Sequence, residues 1–210
     1  MVTKMNRIRV KVCGITRPQD AREIVRLGVD ALGVILHADS PRKITIEQAQ
    51  QIRKEVPAFV SLVGVFVDCP SDTIDNYSTR IGLDLVQLHG DETNANGNSL
   101  NRPFIKAIRA RSIKQVQEKV MDYPAARAIL LDPYVKGLHG GTGKTLDLSL
   151  WPKKPPLPIV LAGGLDPDNI AAVVTAVAPY AVYINSGVEI EPGIKSPAKV
   201  AAAMAALQQG

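Results

Sequence analysis

The sequence predicts a single (β/α)8 barrel, in which eight parallel strands close into one sheet with helices around it. Three observations favour this fold class. Short β-branched segments alternate with helix-like segments along the chain, only 4% of residues are aromatic so the core is aliphatic, and 210 residues suffice for eight compact units. A doubly wound open sheet is the alternative, but it usually has five or six strands. With no linker or low-complexity segment, residues 1–210 are expected to form one domain.

The first half of the chain alternates between predicted strands and helices. Runs of Val, Ile and Leu indicate the strands, while polar capping residues and glycines mark the helix ends. The strands are predicted at 8–12, 31–36, 59–67 and 85–88. The helices are predicted at 20–27, 45–55 and 71–77, with a weak helical tendency in the Asn-rich residues 91–101.

The second half continues the same alternation. Its strands are predicted at 104–107, 127–131, 158–161 and 181–184, and its helices at 112–120, 166–177 and 199–207. Ser112 and Asp166 are the expected N-caps, and Pro167 suits the first position of a helix. A glycine-rich loop at 133–145, followed by a helical turn, separates the sixth and seventh strands.

Polar residues and glycines follow the predicted strands, which is where the active site of such a barrel lies. In chain order they are Cys13, His37, Asp68, His89, Lys106 within the fifth strand, Asp132, Gly163-Gly164 and Asn185-Ser186-Gly187. The sequence therefore predicts a functional site at the C-terminal end of the barrel.

Composition and charge disfavour several classes of protein. The net charge is +5, but the basic residues are scattered and not interleaved with aromatics, so a small anionic substrate is favoured over nucleic acid. No apolar run is long enough to span a membrane, and no signal peptide is recognisable. Two cysteines do not make a disulfide framework, so a cytoplasmic location is expected.

Two short glycine-containing pairs follow neighbouring late strands. The backbone N–H groups of Gly163-Gly164 and of Ser186-Gly187 could together hold a phosphate, which the loops after strands seven and eight often do in this fold. The alternative is that each pair only forms a tight turn. Because both pairs fall after adjacent strands, we expect phosphate binding.

A thiol and a carboxyl group are the acid–base candidates. Cys13 ends the first strand and Asp132 ends the sixth, so both are expected at the barrel mouth as general base and general acid. Core filling and a turn before a proline are the alternatives. Cys69 is interpreted as structural, and Arg42 is a candidate clamp for a carboxylate because of its planar fork.

Metal and nucleotide sites are not favoured. The three histidines share no ligand spacing and no Cys-x-x-Cys is present, so a metal site is not expected. Residues 140–145 read Gly-Gly-Thr-Gly-Lys-Thr but lack the earlier glycine of a P-loop, since position 138 is Leu. A glycine-rich lid is the preferred interpretation.

Taken together, these motifs resemble those of phosphoribosylanthranilate isomerase, an enzyme family of tryptophan biosynthesis. Lys-Val-Cys-Gly-Ile-Thr at 11–16 and Gln-Leu-His-Gly at 87–90 are the most specific, and the resemblance covers nearly the whole chain. The other matching stretches are 40–42, 63–67, 130–132, 140–145, 162–165, 186–189 and 192–195.

The resemblance implies a catalytic (β/α)8 barrel, without cofactor or metal, that performs an Amadori rearrangement. It implies Asp132 as acid, Cys13 as base and Arg42 on the substrate carboxylate, and it implies a monomer or a homodimer. The residues implied in the phosphate grip are Gly163, Gly164, Ser186 and Gly187, and those implied in the substrate pocket or in support of the catalytic pair are Gln87, His89 and Gly141.

The chain also departs from the family pattern. Tyr183 stands where the family usually has Asp, and Leu146 and Leu148 stand where it usually has aromatics. Other sugar-phosphate barrels, such as an epimerase or the indole-glycerol-phosphate-forming synthase, are the enzymatic alternatives. A nucleotide-binding module that uses Lys144 is the alternative outside catalysis.

Overall fold

The computed structural model describes residues 7–133 and 145–208. In these residues, eight strands lie side by side in chain order, and the eighth pairs with the first to close a parallel barrel. They are β1 (Arg9–Val12), β2 (Ala31–His37), β3 (Ser61–Phe66), β4 (Leu85–Leu88), β5 (Phe104–Ala110), β6 (Ile129–Pro133), β7 (Ile159–Leu161) and β8 (Ala181–Ile184). The predicted fold class is confirmed, and the assignment of 1–210 to one domain stays a prediction.

Helices join most of the strands. They are α1 (Pro18–Val25), α2 (Ile46–Arg53), α3 (Ser71–Ile81), α4 (Asn94–Asn98), α5 (Ile113–Met121), α6 (Ile170–Val177) and α7 (Pro197–Gln208). Ser112 caps α5 as predicted, because its hydroxyl accepts a hydrogen bond from the Gln115 N–H. After the undescribed residues 134–144, a 3-10 turn at Leu148–Leu150 precedes β7.

Several element boundaries differ from the prediction, and three of the differences have a local cause. Phe59 was expected in the third strand, but β3 begins at Ser61 and the Phe59 side chain is fully exposed. Asp166 does not cap α6; its carboxylate accepts from Asp168 N and Asn169 N in a separate turn that precedes the helix. The third helix runs past 77 to Ile81, where Gly82 ends it with a φ of 77°.

A short antiparallel hairpin follows the barrel. It consists of β9 (Glu189–Glu191) and β10 (Ile194–Lys195), which the sequence did not predict. The hairpin contains Glu189 and Lys195, both buried. Lys195 donates to Asn185, which follows β8, and Glu189 accepts from Arg42, which follows β2. The hairpin therefore brings charged groups to the end of the barrel where the site was predicted.

The alternation of side chains along each strand decides which residues enter the barrel. Even-numbered residues of β1 and β4, such as Val12 and Leu88, belong to the large cluster between sheet and helices. Odd-numbered Lys11 and Gln87, on the other face, are hydrogen-bonded to each other inside the barrel. Lys106 was expected at the site, but it points outward from β5 and pairs with Glu92 at 2.9 Å.

Candidate active site

Cys13 lies directly after β1, inside the barrel. Its backbone N–H donates to Ile184 O at 2.9 Å, which continues the pairing of β1 with β8. The side chain is inaccessible to solvent and packs against Ile35 and Val65. Gly33 on β2 leaves space for it, because a Cβ at that position would lie 2.5 Å from the Cys13 sulfur. A glycine that the sequence analysis did not select is therefore part of the thiol's setting.

Lys11 is the nearest cation to this thiol. Its Nζ lies 3.7 Å from Cys13 Sγ, donates to Gln87 Oε1 at 2.5 Å and stands 4.8 Å from the centre of the Tyr183 ring. Burial lowers the pKa of Lys11, and its interaction with Cys13 opposes that effect. Sequence reasoning did not assign Lys11 to the site, although its place two residues before Cys13 puts both side chains on one face of the strand.

Asp132 is buried near the end of β6, within the barrel. His89 Nε2 lies 3.4 Å from Asp132 Oδ2, and His89 Nδ1 lies 2.7 Å from Gln87 Nε2. Gln87 in turn accepts from Lys11. The structure thus brings together four predicted site residues, with Lys11 beside them; the four are Cys13, Gln87, His89 and Asp132. Hydrogen bonds link the thiol side of the barrel with the carboxyl side.

Tyr183 occupies the interior between these two groups. Its ring packs against the apolar cluster that contains Cys13 and also against the one that contains Leu130. Burial raises the pKa of Tyr183 well above its usual value, and Cys13 and Asp132 act in the same direction. The departure from the family pattern therefore falls in the site itself, where it supplies a neutral phenol.

Arg42 is already paired. Its Nε and Nη2 donate to the two carboxylate oxygens of Glu189 at 2.8 and 2.7 Å, and Lys195 Nζ donates to the same carboxylate at 2.7 Å. Burial opposes ionisation of Glu189, but the bonds from Arg42 and Lys195 outweigh it and lower the pKa. The pair uses one edge of the guanidinium, so Nη1 is the nitrogen that points away from Glu189.

The two predicted phosphate loops meet. Gly163 and Gly164 have φ values of 96° and 57°, which lie in the left-handed region that favours glycine. Gly187 packs directly against the carbonyl oxygen of Leu165, so a larger residue there would separate the loops. Ser186 opens a 3-10 turn beside them. The structure brings the four residues of the predicted grip to one place.

Gly141 and Cys69 are two further residues that the sequence singled out. Gly141 and the rest of 140–144 lie outside the described residues. Cys69 is buried, and this raises the pKa of its thiol to about 11, which suits a structural cysteine.

Within residues 7–133 and 145–208, no three His, Cys, Asp or Glu side chains are grouped to hold a metal ion, and no helix there is long and apolar enough to cross a membrane.

Comparison with known proteins identifies the family. The family model described as N-(5'phosphoribosyl)anthranilate (PRA) isomerase matches residues 10–206. An N-(5'-phosphoribosyl)anthranilate isomerase from Pseudomonas fluorescens is 44% identical over 98% of each chain. The solved phosphoribosyl anthranilate isomerase from Thermus thermophilus is 36% identical, with a TM-score of 0.86 over 96% of this chain and 99% of that one.

One similar structure also contains a ligand. A phosphoribosyl anthranilate isomerase in complex with reduced 1-(o-carboxyphenylamino)-1-deoxyribulose 5-phosphate is 32% identical, with a TM-score of 0.85 over 97% of this chain and all of that one. Sequence and fold agree over almost the full length. The chain therefore belongs to the N-(5'-phosphoribosyl)anthranilate isomerase family, whose members are enzymes of tryptophan biosynthesis.

Proposed function

We propose that this chain converts N-(5'-phosphoribosyl)anthranilate into 1-(2-carboxyphenylamino)-1-deoxyribulose 5-phosphate, with Asp132 as general acid and Cys13 as general base. The observation that carries the assignment is the buried contact series from Cys13 through Lys11, Gln87 and His89 to Asp132. It supports one site in which a thiol and a carboxyl group approach a substrate from different strands.

The first step uses the acid. Asp132 transfers its proton to the ring oxygen of the furanose, the bond from that oxygen to C1′ breaks, and a protonated Schiff base forms. The carboxyl group is 6% exposed, so bulk water does not compete for the proton. The carboxylate that remains accepts a hydrogen bond from His89.

The second step uses the base. The Cys13 thiolate removes the proton from C2′, the C–H electrons form the C1′–C2′ double bond, and the iminium nitrogen becomes neutral. The resulting enolamine tautomerises to the ketone. The Lys11 ammonium stands 3.7 Å from the sulfur and can pair with the thiolate.

Substrate binding uses the two anionic ends of the molecule. In this proposal the loops of Gly163-Gly164 and Ser186-Gly187 hold the phosphate through backbone N–H groups, which is supported by the close approach of Gly187 to the Leu165 carbonyl oxygen between the two loops. The Nη1 edge of Arg42, held in place by Glu189, is available to the anthranilate carboxylate. The two anionic groups of the substrate then each have a partner, backbone N–H groups for the phosphate and the guanidinium of Arg42 for the carboxylate.

The other expectations stay predictions. They are catalysis without a metal or cofactor, no nucleic-acid partner, a cytoplasmic location and a monomeric or homodimeric state. Light scattering of the purified chain decides the last of these directly.

The function is tested with freshly generated phosphoribosylanthranilate. We expect the purified chain to consume it, as followed by its fluorescence, and to form a product with a C1′ methylene group in its NMR spectrum. Cys13→Ser and Asp132→Asn should each lower kcat by at least ~100-fold, the scale of general acid–base catalysis. Cys69→Ser is the matched control and should leave turnover unchanged. Wild-type turnover in both site variants would refute the assigned roles.

A further inference from the structure

Three buried side chains lie between the proposed base and the proposed acid. Lys11, Gln87 and His89 are 6%, 0% and 5% exposed, and none of them is a reacting group in the proposed mechanism. Lys11 Nζ lies 2.5 Å from Gln87 Oε1, Gln87 Nε2 lies 2.7 Å from His89 Nδ1, and His89 Nε2 lies 3.4 Å from Asp132 Oδ2. We call them the interior chain.

The bond from Lys11 to Gln87 determines which atom donates and which accepts in each further hydrogen bond of the interior chain. A protonated lysine only donates, so the oxygen of the Gln87 amide faces Lys11. The NH2 of the same amide then faces His89 and can only donate, which makes His89 Nδ1 an acceptor. The remaining imidazole proton is therefore on Nε2 and points at Asp132.

We propose that Lys11, Gln87 and His89 act together as positioning residues that hold His89 as the Nε2–H tautomer, so that it donates to Asp132 Oδ2 and leaves the transferable proton on Oδ1. The inference rests on the proposed role of Asp132 as the acid. It assigns to Lys11 a function that depends on its being a donor and not only on its charge beside Cys13.

Such a donor contributes to catalysis because its strength changes during the reaction. While Asp132 is protonated, the bond from His89 joins two neutral groups. Once the proton has moved to the substrate, the acceptor is a carboxylate, and charge-assisted hydrogen bonds are shorter and roughly twice as strong. The interaction is stronger after transfer than before it, which lowers the barrier and not only the energy of the bound substrate.

The surroundings of Lys11 support a specific role. Among the described residues, no carboxylate forms an ion pair with it, and its contacts are Cys13, Gln87 and the Tyr183 ring. An ammonium group buried without a carboxylate is costly, and a hydrophobic residue of similar length would fill the space at a lower cost. The contact with Gln87 accounts for a lysine at position 11, because a methionine at that position could not donate to the amide oxygen and would not set the direction of the amide.

The tautomer can be measured directly. The chain has three histidines, so a long-range 1H–15N spectrum of the full protein labelled at histidine is simple to assign with His89→Gln and His37→Gln as references. We expect the His89 proton on Nε2. His37 is the internal control, because its Nδ1 faces Val67 O at 2.9 Å and must carry the proton there.

Changing the amide to a carboxylate tests the direction of the interior chain. In Gln87→Glu the side chain only accepts, so His89 must place a proton on Nδ1. If the ring stays neutral, Nε2 no longer donates to Asp132. If the ring gains a second proton, it stabilises the carboxylate against the protonated acid. Either way we expect a lower kcat, by roughly 10- to 100-fold, with KM changed much less.

A matched control is available on the surface. Gln51 also accepts from a lysine, with Lys54 Nζ at 3.1 Å, but on the exposed side of α2. Gln51→Glu makes the same chemical change and should leave kcat, KM and the histidine spectrum unchanged.

Rescue separates positioning from packing. His89→Leu should lower kcat by roughly 10- to 100-fold, whereas His89→Gln, whose amide can donate to Asp132, should recover to within about tenfold of the wild type. A His89 proton on Nδ1 in the wild type, or a Gln87→Glu variant with unchanged spectrum and kcat, overturns the proposal. If the wild type lacks isomerase activity, the proposed function fails, and the spectrum still decides the tautomer.

Discussion

Gly33→Ala is the substitution whose consequence the structure determines most closely. The new Cβ would lie 2.5 Å from Cys13 Sγ and 3.1 Å from both Cys13 Cβ and Lys11 Cε. Ordinary contact begins near 3.4 Å, so the sulfur must move by about 1 Å or change rotamer. Neither the thiol nor the lysine can do so freely, because both are buried.

Two effects follow from this displacement. Overpacking of a tight interior typically costs about 1–3 kcal/mol of unfolding free energy. A misplacement of about 1 Å in a catalytic group can lower the rate by roughly 100-fold. We therefore expect Gly33→Ala to fold with reduced stability and to lose about two orders of magnitude in kcat/KM.

Urea unfolding and steady-state kinetics measure the two effects separately. Gly64→Ala on β3 is the matched control, because its Cβ would crowd Leu83 and Phe66 on the outer face of the barrel and not Cys13. We expect Gly64→Ala to lose stability but to keep kcat/KM within a few-fold. Only the Gly33 variant should lose both.

A double-mutant cycle gives the refuting result. In a Cys13→Ala background the sulfur is gone, so Gly33→Ala should cost less stability, with a coupling of about 0.5–3 kcal/mol. Additive costs, or an unchanged kcat/KM in Gly33→Ala, would show that Gly33 does not make space for the thiol and that the reasoning is wrong.

Three further outcomes are expected. Glu189→Gln leaves Arg42 and Lys195 without their carboxylate, so we expect a loss of about 3–5 kcal/mol in urea unfolding. The pKa of Glu189 is lowered in the folded protein, so the ionised carboxylate stabilises the fold above about pH 4.3, and this stabilisation is lost as the pH falls through the lowered pKa. The loss of unfolding free energy on acidification should therefore be smaller in Glu189→Gln. Tyr183→Phe removes a phenol that stays neutral near pH 7. We therefore expect kcat to change while the pH–rate profile keeps its shape between pH 6 and about 9, which steady-state kinetics across that range will measure. Cys69, with a thiol pKa of about 11, should resist iodoacetamide at about pH 8 in the native protein and react after unfolding, as peptide mass spectrometry will show.

Each of these has a contrary result. A Glu189→Gln variant as stable as the wild type would mean that the buried cations find other partners. A new inflection below pH 9 that disappears in Tyr183→Phe would mean that the phenol ionises in the working range. Rapid alkylation of native Cys69 would contradict its burial.

The sequence alone determined the fold class and supplied the two candidates for the acid–base pair. Strict alternation of short apolar strands with capped helices led to eight units, since periodicity and caps are local properties of the chain. Cys13 and Asp132 followed from their position at strand ends. The start of α6 was mistaken because Asp166 and Pro167 carry helix-start signals, but the backbone first makes a turn that Asp166 closes.

Only the tertiary structure decided how the site is connected. Glu189 meets Arg42 across 147 residues, and Gln87 meets Lys11 across 76. These contacts depend on the closure of the barrel, on the register between strands and on a hairpin after β8, none of which leaves a local pattern in the chain. The space that Gly33 leaves for Cys13 is of the same kind, because a glycine reads as a weak strand residue until its neighbour across the sheet is known. Local sequence therefore predicted several of the groups near the barrel mouth, and long-range packing decided which others join them and which of them touch.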